Sequence, residues 1–131
     1  MADSYVTDTH ALLWYLAGSQ RLGDAARKAF DEAVSGEAAV VVPVIALAEL
    51  AMLMEKGRAS ISMDDVLQVL RETDGFVIEP LVWDTVSRIQ EMSSLFDMHD
   101  RLITAEALIR GVPLITVDQA IVASGLVPVV W

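Results

Sequence analysis

Residues Ala38 to Met54 read AAVVVPVIALAELAMLM, and every side chain there except that of Glu49 is apolar. An unbroken apolar run of about 18 residues marks a membrane span. Here Pro43 divides the run. The stretch therefore reads as a buried strand from Ala39 to Val42, a sharp turn, and a helix starting near Val44. The helix is apolar nearly all round, so burial is expected. A carboxylate in such a place is costly unless it is protonated, paired with a base or bound to a metal. No Arg or Lys lies within a helical turn of Glu49, so any partner comes from elsewhere in the chain.

Outward from this stretch, strands and helices alternate. Ser4 to Thr7 is a short β-prone run ending at Asp8. Asp8 or Thr9 can cap a helix through Ala11, Leu12, Leu13, Trp14 and Leu16, stopped by Gly18. A second helix runs from Asp24 to Val34. The Glu49 helix ends at Gly57, and Ser62 or Asp64 caps a helix through Val66 and Leu70. Gly75 and Pro80 bracket a third strand, Phe76 to Glu79. Trp83, Val86, Ile89 and Met92 have helical period. Asp97 or His99 opens a helix with Leu102, Ile103, Ala105 and Leu108 inward, ended by Gly111. Leu114 to Thr116 is a fourth strand, Asp118 caps a short helix, and Val127 to Val130 is a fifth strand. Strands two, four and five are solidly apolar, as in a parallel sheet covered on both faces.

At 131 residues the chain reads as one domain, residues 1–131, with no linker or repeat. The apolar fraction of 54% is high but broken into short runs; the excess suits a partner surface. There are no cysteines, which excludes disulfides and thiolate zinc sites. The N-terminus lacks a basic region before an apolar run, so the expectation is a cytoplasmic protein with no membrane association. A net charge of −10 argues against nucleic-acid binding by a general basic surface. It leaves room for an enzyme that meets a phosphodiester through a cation, and it suits a basic partner.

Ligands of parallel sheets sit beyond the carboxyl ends of the strands, where strand order reverses. Asp8 ends strand one and Asp118 follows strand four. Glu49 joins them because its helix starts at that edge. Asp100 opens the helix feeding strand four, and its start is expected at the opposite edge unless the preceding loop returns across the top. Carboxylates gathered in one water-poor place repel one another and stay ionised together only around a cation. Oxygen ligands without thiolate favour Mg²⁺ or Mn²⁺, and such a site can activate water and bind phosphate oxygens. Each acid also has a plainer reading: Asp8 and Asp118 as N-caps, Asp97 and Asp100 as complements to a helix dipole.

At these residues the sequence resembles the PIN-domain nucleases, in particular the VapC-type toxins of bacterial toxin–antitoxin pairs. Val6-Thr7-Asp8-Thr9-His10-Ala11-Leu12-Leu13-Trp14 is similar to that family's first strand and helix. Ala48-Glu49-Leu50 through Lys56-Gly57-Arg58 is similar to its Glu-bearing helix. Asp97-Met98-His99-Asp100-Arg101, followed by Pro113-Leu114-Ile115-Thr116-Val117-Asp118, is similar to its third and fourth acidic motifs. The resemblance implies a single three-layer α/β domain with a five-stranded parallel sheet of order 3-2-1-4-5. It implies that Asp8, Glu49, Asp100 and Asp118 are the catalytic, metal-binding acids, that Asp100 reaches the shared cluster, that Thr116 orients a carboxylate or water, and that Asp97 is an additional supporting acid. The implied activity is Mg²⁺-dependent endoribonuclease action on tRNA or rRNA, arresting translation. The implied partners are a second copy of the chain and a VapB-type antitoxin whose C-terminal segment covers the acids. Two departures concern placement: the turn Val42-Pro43-Val44-Ile45 lacks the family's frequent hydroxyl, and Met98 stands where a proline often follows the extra acid.

Other residues read plainly. His10 is a helix-surface or capping residue, and His99 a solvated neighbour of Asp100 or a support to it. Trp14 reads as core, with base stacking as its functional reading. Trp83 and Trp131 read as packing, Met52, Met54, Leu12 and Leu16 mainly as core, and Arg101 as a surface pairing residue for Asp97 or Asp118. Two further classes compete with the nuclease. One is a catalytically weak PIN-like interaction domain with a relic acid pocket. The other is a phosphoryl-receiver or dehalogenase-type fold, but Asp8-Thr9-His10 lacks the second acid either would need.

Overall fold

A computed structural model describes residues 3–131. Residues 1 and 2, within the domain bounds expected from sequence, lie outside the described residues. In chain order the elements are β1 (Asp3–Thr7), α1 (Thr9–Leu16), α2 (Asp24–Val34), β2 (Ala38–Pro43), α3 (Val44–Glu55), α4 (Met63–Glu72), β3 (Phe76–Glu79), α5 (Trp83–Arg88), a 3-10 turn (Ile89–Glu91), α6 (Met98–Arg110), β4 (Leu114–Ile115), α7 (Gln119–Ser124) and β5 (Val129–Val130). The five strands pair in the order β3-β2-β1-β4-β5, all parallel. The order in which strands are added therefore reverses between β1 and β4, the place where a crevice opens.

Pro43 divides the opening stretch as its chemistry requires. It closes β2 in extended backbone and serves as the N-cap residue of α3. Helices cover both faces of the sheet. One core layer gathers Leu12, Phe30, Val40, Val42 and Leu50; the other gathers Val6, Val41, Ile103, Leu114 and Ile121. Gly75 lets the end of α2 close on the start of β3, because a Cβ there would meet the Ala33 carbonyl oxygen at 1.9 Å. Among the described residues no helix is long and apolar enough to cross a membrane.

Four expectations change. α3 is not buried all round: Ala46, Leu47 and Leu50 face inward, whereas Val44, Ala48 and Met52 are exposed. The helix lies on the sheet surface, so its apolar back is left uncovered. Trp83 is 85% exposed. The helical period through Met92 breaks at Arg88, where the backbone tightens to 3-10, and the buried residue of α5 is Thr85. β5 is shorter than expected, Val129–Val130; Val127 packs in the core instead. Finally, α6 starts at the carboxyl edge of the sheet. It ends where β4 begins, at the amino edge, so as an antiparallel crossover it must start at the top.

Candidate active site

Four chain segments deliver carboxylates to one cleft of about 390 Å³ whose lining includes Asp8, Glu49, Asp97, Asp100 and Asp118. Each arrives for a local reason. Asp8 is the N-cap of α1, and its Oδ1 accepts from the Ala11 N–H at 2.9 Å. Asp118 caps α7, with Oδ1 accepting from the Ala120 and Ile121 N–H groups at 3.0 and 3.1 Å. Asp97 caps α6 by accepting from the Asp100 N–H at 3.1 Å. The capping reading of these acids is thus realised, and it does not compete with a site. In Asp8 and Asp118 one oxygen holds the helix and fixes the direction of the other.

Thr116 links two of these acids. Its buried hydroxyl donates to Asp8 Oδ2 at 2.5 Å and accepts from the Asp118 N–H at 3.0 Å. Glu49 is partly exposed, not sealed in the core, and its partners come from two other helices. The Thr9 hydroxyl donates to Glu49 Oε1, and His99 Nδ1 lies 3.9 Å from Glu49 Oε2 and 3.5 Å from Asp97 Oδ1. Thr9 is the residue that the sequence reading assigned only to a cap. Its signal was weak: a hydroxyl one step beyond Asp8, at a buried position facing α3. Arg101 does not pair with Asp97 or Asp118. It donates to the Leu95 and Ile89 carbonyls, bracing the loop that leads into α6.

Burial, and after it the charge of neighbouring acids, raises two of the carboxyls. The Asp100 carboxyl is pushed up to about 7, first by burial and then by Asp118, Asp97, Glu49 and Asp8. Asp8 is also raised by burial, with a smaller upward push from Asp118; the Thr116 and Ala11 hydrogen bonds and the nearby His10 oppose the rise. A thiolate-free set of oxygens that repel one another suits a hard divalent cation. Among the described residues no three acids converge closely enough to enclose an ion as they stand.

A parallel sheet of order 3-2-1-4-5 with a carboxylate-lined crevice at its switch point defines a class of α/β domains with an acid-lined cleft. The chain belongs to the PIN-domain family, whose model matches residues 5–123. Its fold is similar to VapBC2 from Rickettsia felis bound to a promoter DNA fragment, with 14% identity, 96% of each chain covered and a TM-score of 0.70. It is also similar to VapC20 of Mycobacterium tuberculosis, described as a sarcin–ricin loop cleaving toxin. There the identity is 16%, coverage 98% of this chain and 100% of that chain, and the TM-score 0.69. DNA-bound VapBC from Salmonella typhimurium is a third, at 15% identity, 98% and 97% coverage and a TM-score of 0.68. At these identities the likeness establishes the fold. Comparison with curated proteins gives no match.

Proposed function

We propose that this chain is a metal-dependent endoribonuclease toxin of the VapC type, acting on structured RNA such as tRNA or rRNA and restrained by an antitoxin. The observation that carries the reading is the gathering of Asp8, Glu49, Asp100 and Asp118 in one cleft at the sheet's switch point, where burial first and then the neighbouring acids push the Asp100 carboxyl up to about 7. Asp8, Glu49, Asp100 and Asp118 would hold Mg²⁺ or Mn²⁺, which would supply charge neutralisation, polarisation of the phosphodiester and activation of water at neutral pH. The chain's own residues do the positioning. Thr116 holds Asp8 and the backbone turn of Asp118, Thr9 holds Glu49, and Asp97 fixes the first turn of α6 that presents Asp100. The products are a 5′-phosphate and a 3′-hydroxyl.

Protein partners belong to the same proposal: an antitoxin over the acid cleft and a second copy of the chain. Exposed Leu81, Val82, Trp83 and Val86, in one short stretch, support a protein-binding surface. The test is incubation of the purified, antitoxin-free chain with total tRNA and rRNA in Mg²⁺, in Mn²⁺ and in chelator, beside Asp100→Asn. Discrete 5′-phosphorylated fragments, absent with chelator and in the variant, are expected. Fragments of equal yield from Asp100→Asn overturn the assigned site. Partner binding by a folded chain with no metal-dependent cleavage favours the interaction-domain reading.

A further inference from the structure

The acid cleft has a neighbour of opposite character. Trp14 lines the cleft and also lines a second depression of about 160 Å³, whose wall carries Arg21, Arg58, Ser19 and Ser60 and no acid. In a chain of net charge −10 this is unusual. Of the other cations, Lys56 stands exposed at the end of α3 and lines neither depression, and the rest are committed elsewhere. Arg88 and Arg110 make ion pairs with glutamates, and Arg101 and Arg27 donate to backbone carbonyls. Arg71 and Lys28 stand in depressions that they share with acids. Among the described residues Arg21 and Arg58 make no ion pair, and both are exposed.

The aromatic groups continue the path. The His10 and Trp14 rings lie 5.7 Å apart, with His10 exposed at the rim of the acid cleft. The Arg21 guanidinium is 5.8 Å from the Trp14 ring centroid, near the outer limit of a cation–π contact, so little holds it there. Trp14 itself is anchored by an edge contact with Trp131 at 5.7 Å, which keeps its ring in place.

Resting on the nuclease reading above, we propose that this groove is the track for single-stranded RNA flanking the scissile phosphodiester. One base lies against His10 and Trp14, and the Arg21 and Arg58 guanidinium groups take backbone phosphates. Rings that present a face to any base, with cations along the backbone, are the chemistry by which proteins hold single strands. An A-form duplex keeps its bases stacked inside and offers nothing to the rings. The substrate segment at the cut is accordingly a loop, a bulge or an end.

The test uses the full chain, Ca²⁺ in place of the catalytic cation, and a labelled 12-nucleotide single-stranded RNA of mixed sequence beside the same sequence as a duplex. Affinity is measured over a range of salt for the wild type, the Arg21→Ala/Arg58→Ala double variant, His10→Ala and Trp14→Phe. The two arginines are exposed, so the double variant should fold normally. Loss of two phosphate contacts is expected to weaken binding by about tenfold or more at low salt and to reduce the log–log salt slope by about 1.4. His10→Ala and Trp14→Phe are expected to weaken single-strand binding about three- to tenfold and to leave duplex binding unchanged. In tRNA cleavage the double variant should raise KM with kcat little changed, because the contacts are made equally before and during reaction. Wild-type affinity and slope in the double variant, alongside intact metal-dependent cleavage, overturn the track and leave the nuclease reading standing. A wild type that neither binds nor cuts RNA overturns both.

Discussion

The Thr116 hydroxyl donates to Asp8 Oδ2 at 2.5 Å, joining residues that stand 108 positions apart in sequence. The same oxygen accepts the Asp118 N–H at 3.0 Å. One buried threonine thus ties the ends of β1 and β4, the two strands between which the strand order reverses.

Thr116→Val keeps the shape of the side chain and removes both bonds. The Asp118 N–H then loses its acceptor and Asp8 its donor. Leaving buried polar groups unpaired costs about 1–3 kcal/mol. Groups that orient a metal-binding acid are worth about 10–100-fold in metal affinity or activity. The expected result is a lower melting temperature and single-turnover cleavage slowed by that factor, with Thr116→Ser close to wild type. A Thr116→Val protein that cleaves at the wild-type rate removes Thr116 from the site.

Thr9 holds Glu49 in the same way, from α1 to α3. The turn before α3 has no hydroxyl of its own, so the carboxylate depends on this partner from another helix. Thr9→Val is expected to weaken Mg²⁺ binding and cleavage about 10–100-fold, and Thr9→Ser to restore most of both. Isothermal titration with Mg²⁺ reads the binding step apart from the chemistry. Equal affinity in Thr9→Val and wild type contradicts the assignment.

The raised carboxyls give stability a definite pH dependence. Asp100 titrates near 7 in the folded chain against an ordinary 3.8. Between those values the native state holds more protons than the unfolded state. Stability of the metal-free protein therefore falls as pH rises through that window and is lowest above it. Asp8, raised in the same direction, adds to the slope. Asp100 is partly screened by solvent, so its share is about 1–2 kcal/mol. Denaturant unfolding in chelator should show higher stability at pH 5 than at pH 8, with a flatter profile for Asp100→Asn. Mg²⁺ should stabilise the wild type more at pH 8, where the acids are ionised. A pH-independent Asp100 contribution would falsify the repulsion argument.

Much of this was legible in the chain. Pro43 within an apolar run marked the strand-to-helix turn, and the alternation of apolar strands with amphipathic helices gave a parallel sheet. Asp8 and Asp118 could be placed at the carboxyl edge because they directly follow strands. The Thr9–Glu49 and His99–Glu49 proximities were not legible, since they depend on how α1, α3 and α6 pack, which no local pattern encodes. Trp83 was misread for a related reason. Helical period says which residues share a face, but not that the helix ends at Arg88 with that face towards solvent. Arg101 was misread because backbone carbonyls, unlike carboxylates, leave no trace in sequence as partners.

Far from the acids, Glu106 is 8% exposed at its side chain and depends on Arg110. The Arg110 Nε donates to Glu106 Oε1 at 2.7 Å, and Arg110 Nη2 lies 2.7 Å from Glu79 Oε2. The Thr85 hydroxyl donates to Glu106 Oε2 at 3.3 Å. The group fastens the end of β3 and α5 to the C-terminal half of α6. Arg110→Met removes the cation and leaves a buried carboxylate unpaired, at a cost of about 3 kcal/mol. Glu106→Gln keeps an acceptor for Arg110 and removes the buried charge, so it should cost less. Glu106→Leu/Arg110→Met removes both charges and should recover part of the loss, because a buried ion pair is often replaceable by apolar packing. Urea unfolding of the three variants should give that order, with cleavage at temperatures well below the transition unchanged. If Arg110→Met costs no more than Glu106→Gln, the pair is solvated in solution and the fastening of β3 and α5 rests on apolar contacts alone.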